Sequence, residues 1–309
     1  GVAAKLKTLG KPGARVGVLL PPSVGGVVAN TALAVAQQVS VNLNFTASKD
    51  SVDFALKKCE ATHIITSRLF LKKIEFPELP GMLFIEDLLK EITFKDKLKW
   101  GALATLVPQN IFLRRILKDR VERSDLATII FSSGSTAEPK GVMLSHGNVA
   151  SNIESLYQIF QLDRNDAVLG CLPFFHSFGY TATIWLPLLS GIRGTYHPNP
   201  VEAATIGEVA EKEKVTLLMS TPTFLLGYIR KCTAEQFKTL RFVIVGAEKL
   251  KDRIASSFVE KFGVMPMEGY GTTELSPVAM MNVPNFHDSM IQQTGHKPGT
   301  VGHPLPGVA

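Results

Sequence analysis

Short apolar runs alternate with helical segments along most of the chain, and this alternation constrains the fold more than any other feature. The runs predict buried strands at residues 15–20, 39–43, 62–66, 167–172, 216–219 and 240–245. Between them, the residue pattern predicts helices at 24–37, 48–59, 201–213, 222–231 and 250–262. Strands that alternate with helices are typical of mostly parallel sheets covered on both faces, so we expect an α/β fold.

Composition limits the class of protein. A chain of 309 residues that is 45% hydrophobic can bury a large core and is not disordered by composition. Its three cysteines, Cys59, Cys171 and Cys232, are widely spaced, which favours buried thiols in a reducing compartment over a disulfide framework. The first residues lack the apolar centre of a signal peptide, so we expect a cytoplasmic protein.

The charge balance indicates acidic partners. The net charge is +6 and the isoelectric point is near 9.1. Anionic lipid headgroups, nucleotides and acidic carrier proteins are all candidates. Nucleic acid is the weaker interpretation, because the basic residues are mixed with acidic ones and no nucleic-acid motif accompanies them.

The segment 167–192 contains no Asp, Glu, Lys or Arg and has the length of a membrane span. Glycine and proline residues interrupt it, however, at Gly170, Pro173, Gly179 and Pro187. We therefore predict strand, loop and short helix that form core or the wall of an apolar pocket.

A second segment, 94–123, mixes apolar side chains with eight Lys and Arg residues. Such a basic amphipathic segment can lie on an anionic membrane surface. The alternative is a helix that packs on the core and turns its charged face to water.

The loop between the apolar runs 126–131 and 142–144 concentrates groups that bind phosphate. Glycine lets a backbone approach an oxyanion, hydroxyls donate hydrogen bonds and a lysine supplies charge. Pro139 and Gly141 exclude a Walker A motif, which needs Gly-Lys followed by Ser or Thr. Phosphate binding and a simple polar hairpin both remain open for Ser132, Ser133, Gly134, Ser135, Thr136 and Lys140.

Two further turns add candidate ligand groups. The segment 243–250 (VIVGAEKL) is a strand that ends in Gly246, Ala247 and Glu248, and ligands of open α/β sheets bind beyond such strand ends. The segment 268–274 (EGYGTTE) places an aromatic ring between glycines, followed by hydroxyls and a carboxylate suited to Mg²⁺. A tight turn with an exposed acid is the alternative for that second segment, which contributes Tyr270, Gly271, Thr272, Thr273 and Glu274.

Five stretches, SSGSTAEPKG, LPFFHSFG, VGAEKL, EGYGTTE and GTVGHPLPG, occur in the order found in the acyl-adenylate-forming (AMP-binding) superfamily, which the chain therefore resembles. The resemblance implies the large N-terminal domain of that fold over 1–309: two mostly parallel sheets with covering helices and a smaller distorted β-barrel part. It implies subdomains of roughly 1–125 and 126–309, incomplete at both ends, and no small C-terminal domain. The motifs PFFHSFG, AEKL and EGYGTTELSPV look most similar to the acyl-ACP synthetase part of bacterial bifunctional 2-acylglycerophosphoethanolamine acyltransferase/acyl-ACP synthetases.

The resemblance also implies roles for residues. The loop from Ser132 to Lys140 would clamp the ATP phosphates, although Ala137 stands where the family commonly has glycine. The segment Gly246, Ala247 and Glu248 would border the adenine, Tyr270 would stack against it, and Gly271 would also bind the nucleotide. Thr272 or Thr273 would reach the α-phosphate. His176, Thr272 and Glu274 would be catalytic, with Glu274 as the Mg²⁺ ligand. The aromatic residues that would line an acyl tunnel are Phe174, Phe175, Phe178 and Trp185.

The implied reaction activates a fatty acid with ATP and Mg²⁺ to acyl-AMP and transfers the acyl group to the thiol of acyl carrier protein, in lysophospholipid reacylation. A long-chain acyl-CoA ligase is the first alternative, and a catalytically silent nucleotide- or lipid-binding module is the second. We expect this chain alone to bind without turnover. A cytoplasmic location is expected, with peripheral contact to the bacterial inner membrane through 94–123 as an extension of it.

Overall fold

The computed structural model describes residues 1–117, 121–132, 138–287 and 292–308. The chain divides into two compact units, a first unit Gly1–Gly147 and a second unit Asn148–Ala309. The boundary lies beyond the 125/126 position expected from sequence. It does so because two strands that follow residue 125 pair with the first unit's sheet.

The first unit contains a six-stranded sheet of order β4-β3-β1-β2-β5-β6. All neighbouring pairs are parallel except β5 and β6, which form an antiparallel hairpin. The strands are β1 (Arg15–Val18), β2 (Val39–Asn42), β3 (His63–Thr66), β4 (Met82–Phe84), β5 (Leu126–Ser132) and β6 (Lys140–Ser145). Their apolar side chains are mostly buried between helices, as the predicted two-sided covering requires.

Several helices of the first unit begin at a side-chain cap. The hydroxyl of Ser23 accepts a hydrogen bond from the Gly26 amide, and that of Ser48 accepts one from the Ser51 amide, so both helices start as predicted. The helices are α1 (Val2–Leu9), α2 (Val24–Val35), α3 (Lys49–Lys58), α4 (Arg68–Lys73), α5 (Ile85–Lys90), α6 (Phe94–Leu106) and α7 (Gln109–Ile116). Next in the chain is α8 (His146–Phe160).

The second unit contains a seven-stranded sheet of order β15-β12-β11-β10-β9-β7-β8. The pairs from β8 to β11 are parallel, whereas β12 and β15 add antiparallel edges. The strands are β7 (Ala167–Gly170), β8 (Arg193–Tyr196), β9 (Leu217–Ser220), β10 (Phe242–Val245), β11 (Pro266–Gly271), β12 (Val278–Met281) and β15 (His303–Pro304).

The helices of the second unit cover this sheet. They are α9 (Ser177–Gly179), α10 (Leu186–Ser190), α11 (Ala203–Lys212), α12 (Pro222–Lys231) and α13 (Asp252–Phe262), with a π-helical turn at Tyr180–Trp185. Predicted helices and strands agree with these bounds to within a few residues. The segment 167–192 divides into strand, loop and short helices as predicted. In the described parts of the chain, no helix combines the length and apolarity needed to cross a membrane.

The α/β fold with two mostly parallel sheets is confirmed. The expected distorted β-barrel part is not seen within residues 1–117, 121–132, 138–287 and 292–308. Beyond the two large sheets, the structure there has only a hairpin of β13 (Phe286–His287) and β14 (Gln292–Gln293). Two strands of two residues cannot close a barrel.

Candidate active site

The largest of the cavities described here lies at one edge of the second sheet. Because β7, β9, β10 and β11 are parallel neighbours, their carboxyl ends share this edge, where open α/β sheets bind ligands. The cavity has a volume of about 420 Å³, within the range of small-molecule sites. It is lined by residues that follow these four strands: Leu172, Pro173, His176, Ser177, Phe178, Gly179, Thr221, Phe224, Gly246, Ala247, Glu248, Tyr270, Gly271, Thr272 and Thr273, with Ile244, Val245, Gly269, Pro277 and Val278.

Smaller cavities do not gather the predicted residues. One of about 330 Å³ lies beside Lys11 and Pro12, and one of about 270 Å³ lies beside Asp252 and Asn282. Neither lining contains a residue assigned a role from the sequence. The cavity at the strand ends is therefore the candidate active site.

Tyr270 presents a ring to this cavity. Its side chain is 49% exposed although it lies on strand β11. The pairing of β11 with β12 shifts register between Tyr270 and Gly271, and such irregularities re-aim side chains next to functional sites. A half-covered ring at a cavity wall is suited to stack on a planar base.

The glycines around Tyr270 have a structural cause that sequence analysis attributed to the ligand. A Cβ on Gly271 would overlap the carbonyl oxygen of Pro277, and one on Gly269 would lie 3.3 Å from Met281 Cβ. Both glycines thus permit β12 to approach β11 closely. They keep bulk away from Tyr270 as a consequence of this packing.

The helical segment that follows β7 is tied to the turn that follows β11. Ser177 Oγ lies 3.4 Å from Thr273 Oγ1, and Thr181 Oγ1 donates to the Ser276 carbonyl at 3.0 Å. Thr181 lies in the π-helical turn, a conformation that occurs frequently at functional sites. These bonds fix the two polar walls of the cavity relative to each other.

His176 lies at the N-terminal end of α9 and is exposed toward the cavity. Desolvation by surrounding protein lowers the pKa of its imidazole, so the ring is neutral at pH 7. A neutral imidazole offers one N–H donor and one acceptor. It can therefore donate a hydrogen bond to a bound oxyanion and still accept one from a second group.

The turn after β10 carries Gly246, Ala247 and Glu248 into the cavity as predicted. Ala247 adopts a positive φ of 68°, a left-handed conformation that costs energy in a residue with a Cβ. Glu248 Oε2 accepts a hydrogen bond from Thr223 Oγ1 at 2.6 Å. The turn is thus held to the start of α12.

The buried carboxylate of Glu268 joins two parts of the site. Its Oε1 accepts a hydrogen bond from the Leu250 amide at 3.2 Å, and its side chain is 8% exposed. Glu268 lies on β11 two residues before Tyr270, whereas Leu250 follows the turn of Glu248. The bond therefore connects the two segments predicted to surround the adenine.

The predicted phosphate loop is described only at its ends. Ser133, Gly134, Ser135, Thr136 and Ala137 lie outside the described residues. Ser132 ends β5, Lys140 begins β6, and the two are cross-strand partners in the antiparallel hairpin of the first unit. The pairing fits both a phosphate loop and a polar hairpin, so the roles of these residues stay predictions.

Glu274 does not line the cavity. It lies in the short turn Thr273–Leu275 and is exposed, one residue beyond Thr273, which does line it. Within the described residues, no group of three His, Cys, Asp or Glu side chains can hold a metal ion. A single carboxylate still fits Mg²⁺ bound with a nucleotide, because that ion keeps waters and takes its other ligands from phosphates.

Two of the four predicted acyl-tunnel aromatics, Phe174 and Phe175, are core residues, which corrects the expectation for these two. Phe174 is 1% exposed and packs edge-on against Tyr196, and Trp185 packs edge-on against Tyr180. Phe175 is also buried, and of the four predicted aromatics only Phe178 is among the cavity-lining residues. Phe174 and Phe175 are buried because packing their rings stabilises the core around β7, whereas Trp185 is half-buried.

Sequence analysis missed the segment that follows β9. Thr221 caps α12 by accepting a hydrogen bond from the Phe224 amide at 3.4 Å, and both residues line the cavity. The sequence held a signal for this segment: Thr-Pro after a predicted buried strand marks a helix start at the edge of the sheet where ligands bind.

Comparison with known proteins adds independent observations. A family model described as "AMP-binding enzyme" matches residues 1–309. A long-chain-fatty-acid–CoA ligase of Bacillus subtilis is 26% identical over 95% of this chain and 55% of its own length. The chain spans about half the length of the curated relatives it matches over most of its residues.

Solved structures have the same fold. Apo MatB from Rhodopseudomonas palustris superposes with a TM-score of 0.76 at 25% identity, over 100% of this chain and 58% of that one. An o-succinylbenzoate coenzyme A synthetase (MenE) of Bacillus subtilis, solved in complex with ATP and magnesium ion, gives a TM-score of 0.77 at 21% identity. That match covers 98% of this chain and 58% of the MenE chain. At this identity, the MenE match supports the fold alone.

Proposed function

Because this chain belongs to the AMP-binding enzyme family, we propose that its cavity binds ATP and a carboxylic acid and forms an acyl adenylate. The observation that carries the proposal is the convergence of four strand ends on one cavity. There a half-exposed ring, Tyr270, faces hydroxyls, Thr272 and Thr273, and a neutral imidazole, His176. An aromatic face suits adenine, and hydroxyl and N–H donors suit a phosphate and a carboxylate.

In the proposed first step, a carboxylate oxygen of the acid attacks the α-phosphorus of ATP. The bond from that phosphorus to the bridging oxygen breaks, and pyrophosphate leaves with the electron pair. Thr272, Thr273 and His176 would donate hydrogen bonds to the oxygens where charge develops, which stabilises the transition state. A magnesium ion held by Glu274 with the nucleotide would neutralise phosphate charge.

In the proposed second step, a thiolate attacks the acyl carbon, AMP leaves with its phosphate oxygen, and a thioester results. Adenylation makes this possible because AMP is a far better leaving group than oxide. The fatty-acid and CoA ligases among the relatives support coenzyme A as the acceptor. The net charge of +6 also suits an acidic carrier protein.

The finer proposal is an acyl-acyl carrier protein synthetase acting in lysophospholipid reacylation, with the CoA ligase as its direct competitor. Its support is the motif similarity at PFFHSFG and EGYGTTELSPV. A reaction of either kind is proposed to take place in the cytoplasm. A steady-state comparison of the two thiol acceptors, on a chain extended to the length of the relatives, separates them.

The acid is proposed to be a fatty acid. One part of the cavity is apolar, with Leu172, Phe178, Phe224, Ile244 and Val278 among its lining residues. Apolar surface stabilises a bound chain by about 0.8 kcal/mol for each buried CH₂ group. A cavity of about 420 Å³ must also hold the nucleotide, so the length of the acyl chain that fits beside it is limited.

The test is calorimetric binding of acyl-sulfamoyl-adenosines, which are non-hydrolysable mimics of acyl-AMP, in a series from short to long acyl chains. Affinity should rise with each added CH₂ until the apolar part of the cavity is filled, and then level off. If no member of the series binds, or if sulfamoyl-adenosine without an acyl chain binds as tightly as the best member, the proposed reaction is wrong for this chain.

A further inference from the structure

Helix α6 differs from the other long helices in its burial. Its 13 residues include no buried side chain. Helix α2 has 12 residues and buries five, and α13 has 11 and buries three. Most helical stability in proteins comes from an apolar face that packs on a core. The apolar face of α6 therefore requires another explanation.

The exposed apolar side chains of α6 form one stripe. Phe94 is 79% exposed, Leu98 64% and Leu106 81%, and Ala102 between them is also exposed. Residues spaced by four lie on the same face of an α-helix. The opposite side, which includes Trp100 and Leu103, is half-buried, so the stripe points away from the first unit.

Lysines accompany the stripe. Lys95, Lys97 and Lys99 are all exposed, and at 3.6 residues per turn Lys97 and Lys99 project on its two sides. The acid of α6, Asp96, is engaged in the helix cap, where its carboxylate accepts hydrogen bonds from the amide and hydroxyl of Thr93. The three exposed lysines outnumber this one carboxylate, so the net charge around the stripe is positive.

Helix α7 extends the same character. Ile111 is 54% exposed and Arg114 is exposed. The two helices follow each other with only Val107 and Pro108 between them. We call α6 and α7 together the basic apolar surface.

We infer that the basic apolar surface docks on a lipid bilayer whose headgroups are anionic. An interfacial helix lies in the plane of the membrane, with its apolar stripe among the acyl chains and its lysines at the headgroups. Helix α6 is about 20 Å long at 1.5 Å per residue, too short to span the hydrocarbon core and long enough to lie along its surface.

The distribution of charge favours lipid over protein. A protein partner would need carboxylates placed opposite individual lysines, whereas an anionic bilayer offers charge wherever the helix lies. A second copy of this chain would bring lysines against lysines across a shared stripe. The inference does not depend on the reaction proposed for the cavity, because the basic apolar surface belongs to the first unit and uses none of the cavity residues.

The test is co-sedimentation of the 309-residue chain with vesicles of phosphatidylcholine alone or mixed with phosphatidylglycerol. Binding is expected only with phosphatidylglycerol and should weaken with salt. Each lysine near an anionic surface strengthens binding about 5-fold, so the triple variant K95E/K97E/K99E should reduce binding by more than about 100-fold. Removing the stripe with F94S/L98S should also abolish sedimentation, although every charge remains.

The matched control is helix α4, where L69S and K72E/K73E change exposed leucine and lysine side chains on the same unit. These variants should bind as the parent does. Circular dichroism and urea unfolding establish that all variants fold. The inference is overturned if the parent ignores phosphatidylglycerol, if the α4 variants lose binding equally, or if F94S/L98S binds normally. It is also overturned if sedimentation velocity shows a dimer that F94S/L98S dissolves, since the stripe then contacts a second copy.

Discussion

Replacing Tyr270 by alanine tests the adenylate site directly. Stacking of a base on an aromatic side chain contributes about 1–3 kcal/mol by alanine substitution. Tyr270 is 49% exposed and lines the cavity, so about half of its surface is open to a ligand. One stacking contact in that range corresponds to a loss of about 5- to 150-fold in affinity for an acyl-sulfamoyl-adenosine.

The assay is isothermal titration calorimetry with the tightest member of the acyl series, on the parent, Tyr270→Ala and Tyr270→Phe. The phenylalanine variant keeps the ring and should retain most of the affinity. Because the side chain is half exposed, neither change should alter the free energy of unfolding by more than about 1 kcal/mol. Equal affinity for the parent and Tyr270→Ala, with both folded, would refute the assignment of this ring to the base.

Other features of the structure give three further expectations. Gly271→Ala should destabilise the chain by about 1–3 kcal/mol in urea unfolding, because the new methyl group overlaps the Pro277 carbonyl. Gly246→Ala is the control and should unfold as the parent does, because the atom nearest to its new methyl group lies at 3.5 Å. Desolvation lowers the pKa of His146 and His176 below 6.5, so the free energy of unfolding should fall as pH drops below 6.5, and His146→Gln should flatten this dependence. A thiol-reactive dye should modify the native cysteines no faster than the chain unfolds, because all three are buried and burial raises the thiol pKa values, to about 12 and about 11 in two of them. Rapid modification of any one cysteine in the folded chain would contradict this.

The strands and helices that bury a continuous apolar face were predictable from sequence. Strands β7, β9 and β10 are buried along nearly their whole length, so their runs of Val, Leu and Ile are unambiguous. Among the strands that were not predicted, β4 and β15 are short and carry partly exposed residues. Their pairing depends on distant partners, which local pattern does not reveal.

The division into units was harder to place. The expected boundary near 125 precedes β5, a buried strand that is compatible with either sheet by its sequence alone. Its pairing with β2, from Ser40 opposite Thr128 to Asn42 opposite Ile130, assigns it to the first sheet. Register between strands far apart in the chain is a property of tertiary packing.

The sequence predicted the cavity residues that lie in turns at strand ends, but not those whose position depends on side-chain packing. The sequence was enough to place Gly246, in the turn after β10, and Tyr270, at the end of β11, in the cavity, because ligands of α/β sheets bind at the carboxyl ends of strands. Sequence did not distinguish Phe178, which lines the cavity, from Phe174, which is 1% exposed four residues earlier. That difference arises from the direction each side chain takes as the chain turns from β7 into α9.

The EGYG segment shows why fold and site cannot be separated here. Gly271 is required by the approach of β12, and the register shift at the same position coincides with a Tyr270 ring that is half exposed at the cavity wall. Glu268, earlier on the strand, holds the Leu250 amide and with it the turn that faces the ring. The geometry of the proposed base-binding wall therefore depends on backbone contacts as well as on the ring. Substitutions such as Gly271→Ala should weaken adenylate binding even in the fraction of molecules that stays folded.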